Sequence, residues 1–120
     1  MAVRAIRGAT QVDVDERGAV LDASAQLVAA VLDRNGLVSE NLISIVFTTT
    51  PDLCSEFPAY AARQLGLVDV PLLCASEIPV PGAMPRVIRL LAHVETPVPR
   101  EAIRHVYLRG AAALRTDLPR

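Results

Sequence analysis

The sequence predicts an α/β or α+β fold in which a mixed β-sheet carries helices packed on one face. Three observations lead to this prediction. Residues 2–14 alternate in polarity with the period of a strand, whereas residues 16–35 change to helical spacing. Residues 42–50 are rich in β-branched side chains and end before a proline, which is typical of a strand. At 120 residues the chain fits one domain, residues 1–120.

The first half of the chain contains a strand and a long helix before the strand 42–50. In the first predicted strand, Val3, Ala5 and Arg7 share one face. The predicted helix ends at Asn35 and Gly36, because this pair readily adopts the left-handed conformation that stops a helix. The apolar stripe of the helix consists of Val20, Ser24, Leu27, Val28, Val31 and Leu32.

The second half adds a short helix and three strands. Pro58 and Gly66 bracket the helix, which carries Arg63. The remaining predicted segments are a strand at 70–74, a proline-rich loop, a strand at 86–95, at most one helical turn at 97–103 and a last strand at 105–108.

Composition and charge argue against several classes of function. The net charge is −1 and the pI is near 6.1, so the chain lacks the positive field that attracts nucleic acid. No apolar stretch approaches the roughly 18 residues of a membrane span, and the N-terminus lacks a signal-peptide core. We therefore expect a cytoplasmic protein. Cys54 and Cys74 lack a CxxC spacing and any matching His/Cys cluster, so neither a metal site nor a disulfide is expected.

The aromatic content predicts an oligomer. Hydrophobic residues make up 52% of the chain but aromatic residues only 3%, although aromatic side chains usually anchor the core of a 12.8 kDa protein. Subunit interfaces that resemble a core cut in half would account for the surplus of aliphatic side chains.

Arg89 is the most informative residue for function. It interrupts an apolar strand, and its guanidinium cannot lose its proton, so a nearby carboxylate or an anionic ligand is expected. Arg7, Arg63 and Arg115 stand in similar settings, and together they would suit a ligand with more than one carboxylate. The alternative is that each arginine only marks the solvent face of an amphipathic element.

Short segments along almost the whole chain share their order and spacing with one known family. They read VRAIRGAT at 3–10, TPDL at 50–53, FPA at 57–59, CASE at 74–77, IR at 88–89, IRHVYL at 103–108 and LRTDL at 114–118. The chain resembles the monofunctional, trimeric chorismate mutases of the pseudo-α/β-barrel class. The RGAT start and the IRHVYL…LR ending are the most specific parts of this resemblance.

The resemblance implies a homotrimer with active sites between subunits and a Claisen rearrangement of chorismate to prephenate, on the route to phenylalanine and tyrosine. Chorismate is a dicarboxylate with an ether bridge and a ring hydroxyl. Its rearrangement is unimolecular and uses preorganised charge and a compressed conformer, with no nucleophile, metal or redox cofactor. The residues fit this expectation, and no cofactor is expected.

The resemblance also implies a role for each site residue. Arg89 would donate to the ether oxygen, Arg7 would hold a carboxylate with help from the Tyr107 hydroxyl, and Glu77 would accept from the ring hydroxyl. Arg63 would be presented to these residues by a neighbouring subunit. The remaining predicted contacts are the apolar walls Phe57, Ala59 and Leu114, the Leu73–Cys74 segment near the hydroxyl, and Arg115 over the entrance.

Structural alternatives stand beside these roles. Tyr107 could pack at a sheet edge, Glu77 could pair with Arg86 on the surface, and the Cys74 side chain could be an inert buried group. Asp52 is expected to turn the chain after β-strand 42–50.

Two positions depart from the family pattern. Tyr60 stands where the family often has a lysine, and Leu73 where it often has a hydroxyl residue.

Two alternative functions remain: an imine or enamine deaminase on the same trimeric superfold, and a trimer that binds an aromatic-pathway metabolite. Glu77 together with Arg89 discriminates among them, because a carboxylate binder needs neither a hydroxyl acceptor nor a cation directed at an ether.

Overall fold

The computed structural model describes residues 1–114, which contain five strands and two α-helices. In chain order the elements are β1 (Ala2–Gln11), α1 (Arg17–Arg34), β2 (Leu42–Thr49), α2 (Pro58–Gln64), β3 (Leu72–Ser76), β4 (Val87–Thr96) and β5 (Val106–Tyr107). Short 3-10 helices lie at Ser39–Asn41, Arg100–Ala102 and Arg109–Leu114. None of the helices within residues 1–114 is long and apolar enough to cross a membrane.

The strands form one mixed sheet in the order β3-β2-β4-β1-β5. β4 runs antiparallel to both β1 and β2, whereas β3 is parallel to β2 and β5 is parallel to β1. The long strand β4 is therefore central, and the two short strands close the edges. The predicted mixed sheet is confirmed.

Both α-helices pack on the same face of this sheet, as predicted. Their apolar side chains share one core with Ile6, Phe47 and Leu90 of the strands, all of which are buried. Gly8 lies where the helix meets β1. A Cβ atom at this glycine would stand 3.1 Å from the Leu27 side chain and 3.2 Å from that of Leu90. The close approach of α1 to the sheet thus favours a residue without a side chain at position 8.

The opposite surface of the sheet, which we call the open face, carries neither α-helix. Along β4 the burial alternates, so that Ile88 and Leu90 are buried under the helices while Arg89 and Leu91 project to the open face and are partly exposed. Arg7 lies on the open face of β1 by the same alternation. One surface of the sheet is thus the core, and the other presents arginine and aliphatic side chains.

Strand boundaries differ from the prediction where sheet pairing decides them. β1 ends at Gln11 instead of residue 14, because its neighbour β4 begins opposite that residue, at Val87. β3 begins and ends two residues later than predicted, since pairing with β2, and not its own apolar character, fixes its register. β5 is limited to two residues. The helix stops were predicted correctly, with Gly36 at φ +62° and Gly66 at φ +94°.

Candidate active site

One row of side chains crosses the open face from edge to edge. The strand register pairs Tyr107 with Ala9, Ala9 with Arg89, Arg89 with Thr48, and Thr48 with Ala75. Paired residues of neighbouring strands project to the same side of a sheet, so all five share one surface. Arg89 stands at the middle of this row, two strands or about 10 Å from Tyr107.

Glu77 is the anionic partner of Arg89. It directly follows β3, and its backbone N–H donates to the Thr49 carbonyl oxygen at 2.8 Å, which extends the pairing of β2 with β3. Arg89 Nε donates to both carboxylate oxygens of Glu77, at 3.2 Å to Oε1 and 3.1 Å to Oε2. The Thr48 hydroxyl donates to Oε2 at 2.7 Å. The carboxylate that a strand arginine was expected to require is therefore present.

The two members of this ion pair are unequally exposed. The Glu77 side chain is 17% exposed and the Arg89 side chain 43%. Because Glu77 is bound through Nε, the terminal nitrogens of the guanidinium remain as further donors. The arrangement places a half-exposed cation beside a largely shielded acceptor. It suits a ligand that carries an electron-rich oxygen close to a hydroxyl group.

Arg7 lies on the same face, one row away from Arg89. It is exposed and pairs with Leu91 of β4. Its backbone N–H donates to His105 Nδ1 at 3.0 Å, immediately before β5 begins. His105 thereby ties β1 to β5 and holds Arg7 next to the strand that carries Tyr107. No role was predicted for this histidine, although it stands in the IRHVYL segment.

Tyr107 is packed more tightly than the arginines, with 7% of its surface exposed. It forms a small apolar cluster with Ala9 and Ala111, and Leu114 packs against that cluster. The predicted apolar wall at Leu114 therefore lies beside Tyr107. Arg115, predicted to lie over the entrance, falls outside the described residues.

The other predicted contacts surround a separate hollow, which we call the β3 cleft. It lies between α2 and β3, has a volume of about 400 Å³, and is lined by residues that include Phe57, Ala59, Arg63, Leu73 and Cys74. α2 begins at Pro58, whose fixed φ suits the first helical position. Phe57 is left at the N-cap and is 68% exposed. The ring is therefore available for contact with a ligand or another chain.

Cys74 lies on the helix side of β3, paired with the buried Phe47. Burial raises the pKa of its thiol, while a hydrogen bond from the Ala59 backbone and the charge of Arg63 act in the opposite direction. The thiol is therefore protonated at neutral pH and is a poor nucleophile. This supports the interpretation of its side chain as inert.

Asp15 fixes the segment that leads to Phe57. Its carboxylate accepts the backbone N–H of Cys54 at 3.2 Å and that of Ser55 at 3.1 Å, and it also accepts the Cys54 thiol at 3.2 Å. Hydrogen bonds from Ser55 and then from Cys54 lower the pKa of Asp15. Asp15 in turn raises the pKa of the Cys54 thiol by accepting its hydrogen bond. The loop before the β3 cleft is thus held by one carboxylate.

Tyr60, the first departure from the family pattern, borders the β3 cleft together with Glu56. The Arg17 guanidinium lies over the Tyr60 ring, 5.5 Å from its centroid, and Arg17 Nε is 3.0 Å from Glu56 Oε1. Tyr60 stands where the family often has a lysine. In this chain a different cation, Arg17 of α1, is stacked on the Tyr60 ring.

Asp52 closes the turn after β2, as expected from the sequence. It accepts the Thr50 hydroxyl at 2.5 Å and the Arg86 N–H at 3.0 Å, and Thr50 Oγ1 accepts the Val87 N–H at 3.0 Å. Arg86 has a φ of +53° and its Nε donates to a backbone carbonyl just after β1. Arg86 is thus directed away from Glu77, and the alternative pairing of these two residues does not form.

The fold divides the predicted site residues between two surfaces. Arg7, Glu77, Arg89 and Tyr107 belong to the open face, with Leu114 beside them, and the remaining described residues belong to the β3 cleft. Thr48 was missed. A threonine in a β-branched strand carries no signal of its own, and only the cross-strand register places it next to Arg89.

Comparison with known proteins decides the family. A family model described as chorismate mutase type I matches residues 3–118. The chain belongs to this family. It is 52% identical over 117 residues to the chorismate mutase AroH of Thermus thermophilus, covering 97% of this chain and 96% of that protein. It is 40% identical over 119 residues to the chorismate mutase AroH of Bacillus subtilis (strain 168), covering 98% and 94%.

A solved structure supports the same assignment. The chorismate mutase from Clostridium thermocellum matches with a TM-score of 0.90 and 41% identity, covering 91% of this chain and 97% of that one. The predicted family, fold class and enzyme class, a chorismate mutase of the isomerases, are confirmed.

Proposed function

We propose that this chorismate mutase converts chorismate to prephenate at sites between the subunits of a homotrimer. The observation that carries the residue assignment is the Arg89–Glu77 pair on the open face, in the same row as Tyr107. In a family of chorismate mutases, this pair offers a cation and an acceptor to a substrate that has an ether and a hydroxyl.

Arg89 acts on the charge that develops as the C–O bond breaks. The rearrangement sends electron density onto the ether oxygen, and a half-exposed guanidinium held in place by Glu77 can donate to that oxygen without first reorganising. Arg89 is therefore proposed as the group that lowers the barrier.

Arg7 and Tyr107 hold a substrate carboxylate in this proposal. They lie on neighbouring strands, and His105 fixes the backbone of Arg7 beside β5. A guanidinium and a phenol from adjacent strands can bind one carboxylate and orient the ring over Arg89. Glu77 accepts a hydrogen bond from the ring hydroxyl, with the apolar wall of Leu114 beside Tyr107.

Within one chain, Tyr107 and the β3 cleft are too far apart to bind the same small ligand. β5 and β3 are the opposite edges of the sheet, about 19 Å apart at the usual strand spacing. A substituted six-membered ring does not span that distance. The β3 cleft of one subunit, with Phe57, Arg63 and Cys74, is therefore proposed to meet the open face of its neighbour. Three such contacts would close a trimeric pseudo-α/β barrel.

The direct test follows the ultraviolet absorbance of chorismate in the presence of the purified protein. We expect loss of chorismate and formation of prephenate without an added cofactor, and a trimer in sedimentation equilibrium. Binding without turnover would indicate a metabolite-binding trimer, and turnover of imines alone would indicate a deaminase. A monomer with full activity at micromolar concentration would contradict the shared site. A cytoplasmic role in phenylalanine and tyrosine synthesis is part of the same proposal.

A further inference from the structure

Among the described residues, only Thr48 and Arg89 have side chains that donate hydrogen bonds to the Glu77 carboxylate. Its hydroxyl lies 2.7 Å from Oε2, whereas Arg89 Nε bridges both oxygens at 3.1 and 3.2 Å. Threonine and arginine pair directly across β2 and β4, so both donors come from strands in the middle of the sheet. The carboxylate is thus held by two rigid elements although it belongs to the residue after an edge strand.

The two carboxylate oxygens of Glu77 accept different numbers of hydrogen bonds. Oε2 has both a hydroxyl and a guanidinium donor, whereas Oε1 has only the longer contact to Arg89. A carboxylate oxygen accepts more than one hydrogen bond, so Oε1 keeps the greater capacity for a further donor. We propose that Thr48 is a positioning residue that assigns Oε1 to the ring hydroxyl of the substrate and so makes the enzyme selective for that hydroxyl.

The position of Thr48 suits this role better than a purely structural one. Valine has the same branched shape and an equal preference for strands, so packing and strand formation do not require the hydroxyl. The branched Cβ restricts χ1, which gives the hydroxyl a fixed place instead of several rotamers. The 17% exposure of Glu77 means that water competes weakly for the bond, and its loss would be felt.

This inference rests on the proposed function, because it takes Glu77 as the acceptor of the ring hydroxyl. The test therefore compares two substrates, chorismate and an analogue that lacks only the ring hydroxyl. Thr48→Val is expected to lower kcat/KM for chorismate about tenfold, as for loss of a hydrogen bond to a charged group, and to leave the value for the analogue nearly unchanged. Thr48→Ser restores the hydroxyl and is expected to recover most of the loss.

Thr49→Val is the matched control, since Thr49 is adjacent in β2 and contacts Glu77 only through its backbone carbonyl. It should affect both substrates alike. Equal losses on the two substrates for Thr48→Val, or no loss on either, would overturn the inference, and circular dichroism confirms that each variant is folded.

Glu77→Gln, measured on the same two substrates, distinguishes the role proposed for Thr48 from the role proposed for Glu77. If Glu77→Gln discriminates between the substrates and Thr48→Val does not, only the role of Thr48 is wrong. If neither variant discriminates, the assignment of Glu77 to the ring hydroxyl is wrong, and the inference about Thr48 is wrong with it.

Discussion

The open face and the β3 cleft are built differently. On the open face the predicted site residues stand on paired strands or directly after one, and Arg89 is bonded to Glu77. In the β3 cleft they stand on a short helix and an edge strand, and the exposed Phe57 ring dominates the surface. The first surface offers preorganised charge, and the second offers an apolar wall with a cation, Arg63.

This difference suggests a division of labour within one active site. Preorganised charge is most effective where charge develops in the transition state, whereas apolar walls select and hold a conformer. Each chain would carry one surface of each kind and would complete two different sites in an assembly. The following experiments test that division, beginning with the largest expected effect.

Removing the charge of Arg89 without changing its shape is the most severe test of the open face. Citrulline at position 89 keeps most of the donors but is neutral. We expect kcat to fall at least about a hundred- to a thousandfold with little change in substrate binding, because the interaction strengthens as charge develops. Steady-state kinetics on chorismate would measure it, and a kcat within a few-fold of the native enzyme would disprove the role.

Arg115→Ala provides the contrast to the citrulline variant. As a residue predicted to lie over the entrance, Arg115 should affect binding more than chemistry, so KM should rise while kcat changes little. The same kinetic pattern in both variants would mean that the arginines do not divide into transition-state and binding groups.

Mixing two inactive variants tests whether the two surfaces belong to different chains. Arg89→Ala damages the open face and Arg63→Ala the β3 cleft, so each alone should be strongly impaired. In trimers refolded from equal amounts of both, about a quarter of the sites should combine two native surfaces, and activity should return to about that level.

The control for this experiment pairs two variants of the same surface, Arg89→Ala with Arg7→Ala. No random trimer of these chains contains a native open face, so mixing should recover nothing. Failure of the first mixture to recover would indicate a site formed within a single chain. Recovery in the control would show that Arg89 and Arg7 are not needed on the same chain.

The Asp15→Asn variant tests how much the Asp15 carboxylate, which holds the loop before the β3 cleft, contributes to the stability of the protein. The folded-state pKa of Asp15 lies below its ordinary value of 3.8, so the charged form stabilises the protein above that pH, and this stabilisation is lost as the pH falls through the folded-state pKa. We expect a lower urea midpoint for the variant at pH 7 and a smaller difference at pH 3. Asp13→Asn, at an exposed position two residues earlier, is the control. A difference independent of pH would exclude the charge as the cause.

Cys74→Ala should have the smallest effect on the β3 cleft. A pericyclic step offers a thiolate nothing to attack, and burial keeps the thiol protonated. We expect kcat/KM within a few-fold of the native value and slow labelling of the native thiol by iodoacetamide at pH 8. Complete inactivation of a folded variant would show a direct role for the side chain.

The sequence was sufficient to predict which elements exist, because hydrophobic periodicity depends only on the segment itself. It was insufficient to predict where the strands end. β3 was predicted two residues too early, because its register depends on its pairing with β2. β1 ends at Gln11, which pairs with Val87, the first residue of β4.

The same limit applies to the site. The need of Arg89 for an anion follows from the chemistry of one side chain, and it could therefore be predicted. The identity of the partner could not be derived in this way, because the sequence also allowed Glu77 to pair with Arg86, whose side chain instead donates to a backbone carbonyl after β1. Thr48 and His105 act through contacts across strands, and such contacts leave no trace in a single sequence.

The close approach at Gly8 connects the proposed site, through Arg7, with the protein interior. The Leu27 and Leu90 side chains leave little room for a Cβ atom at Gly8, and the residue directly before Gly8 is Arg7. A larger side chain at either leucine would press on the backbone of β1 and displace that arginine. Libraries designed to raise the melting temperature by repacking the core should therefore hold these two leucines constant, or be screened for turnover as well as heat resistance.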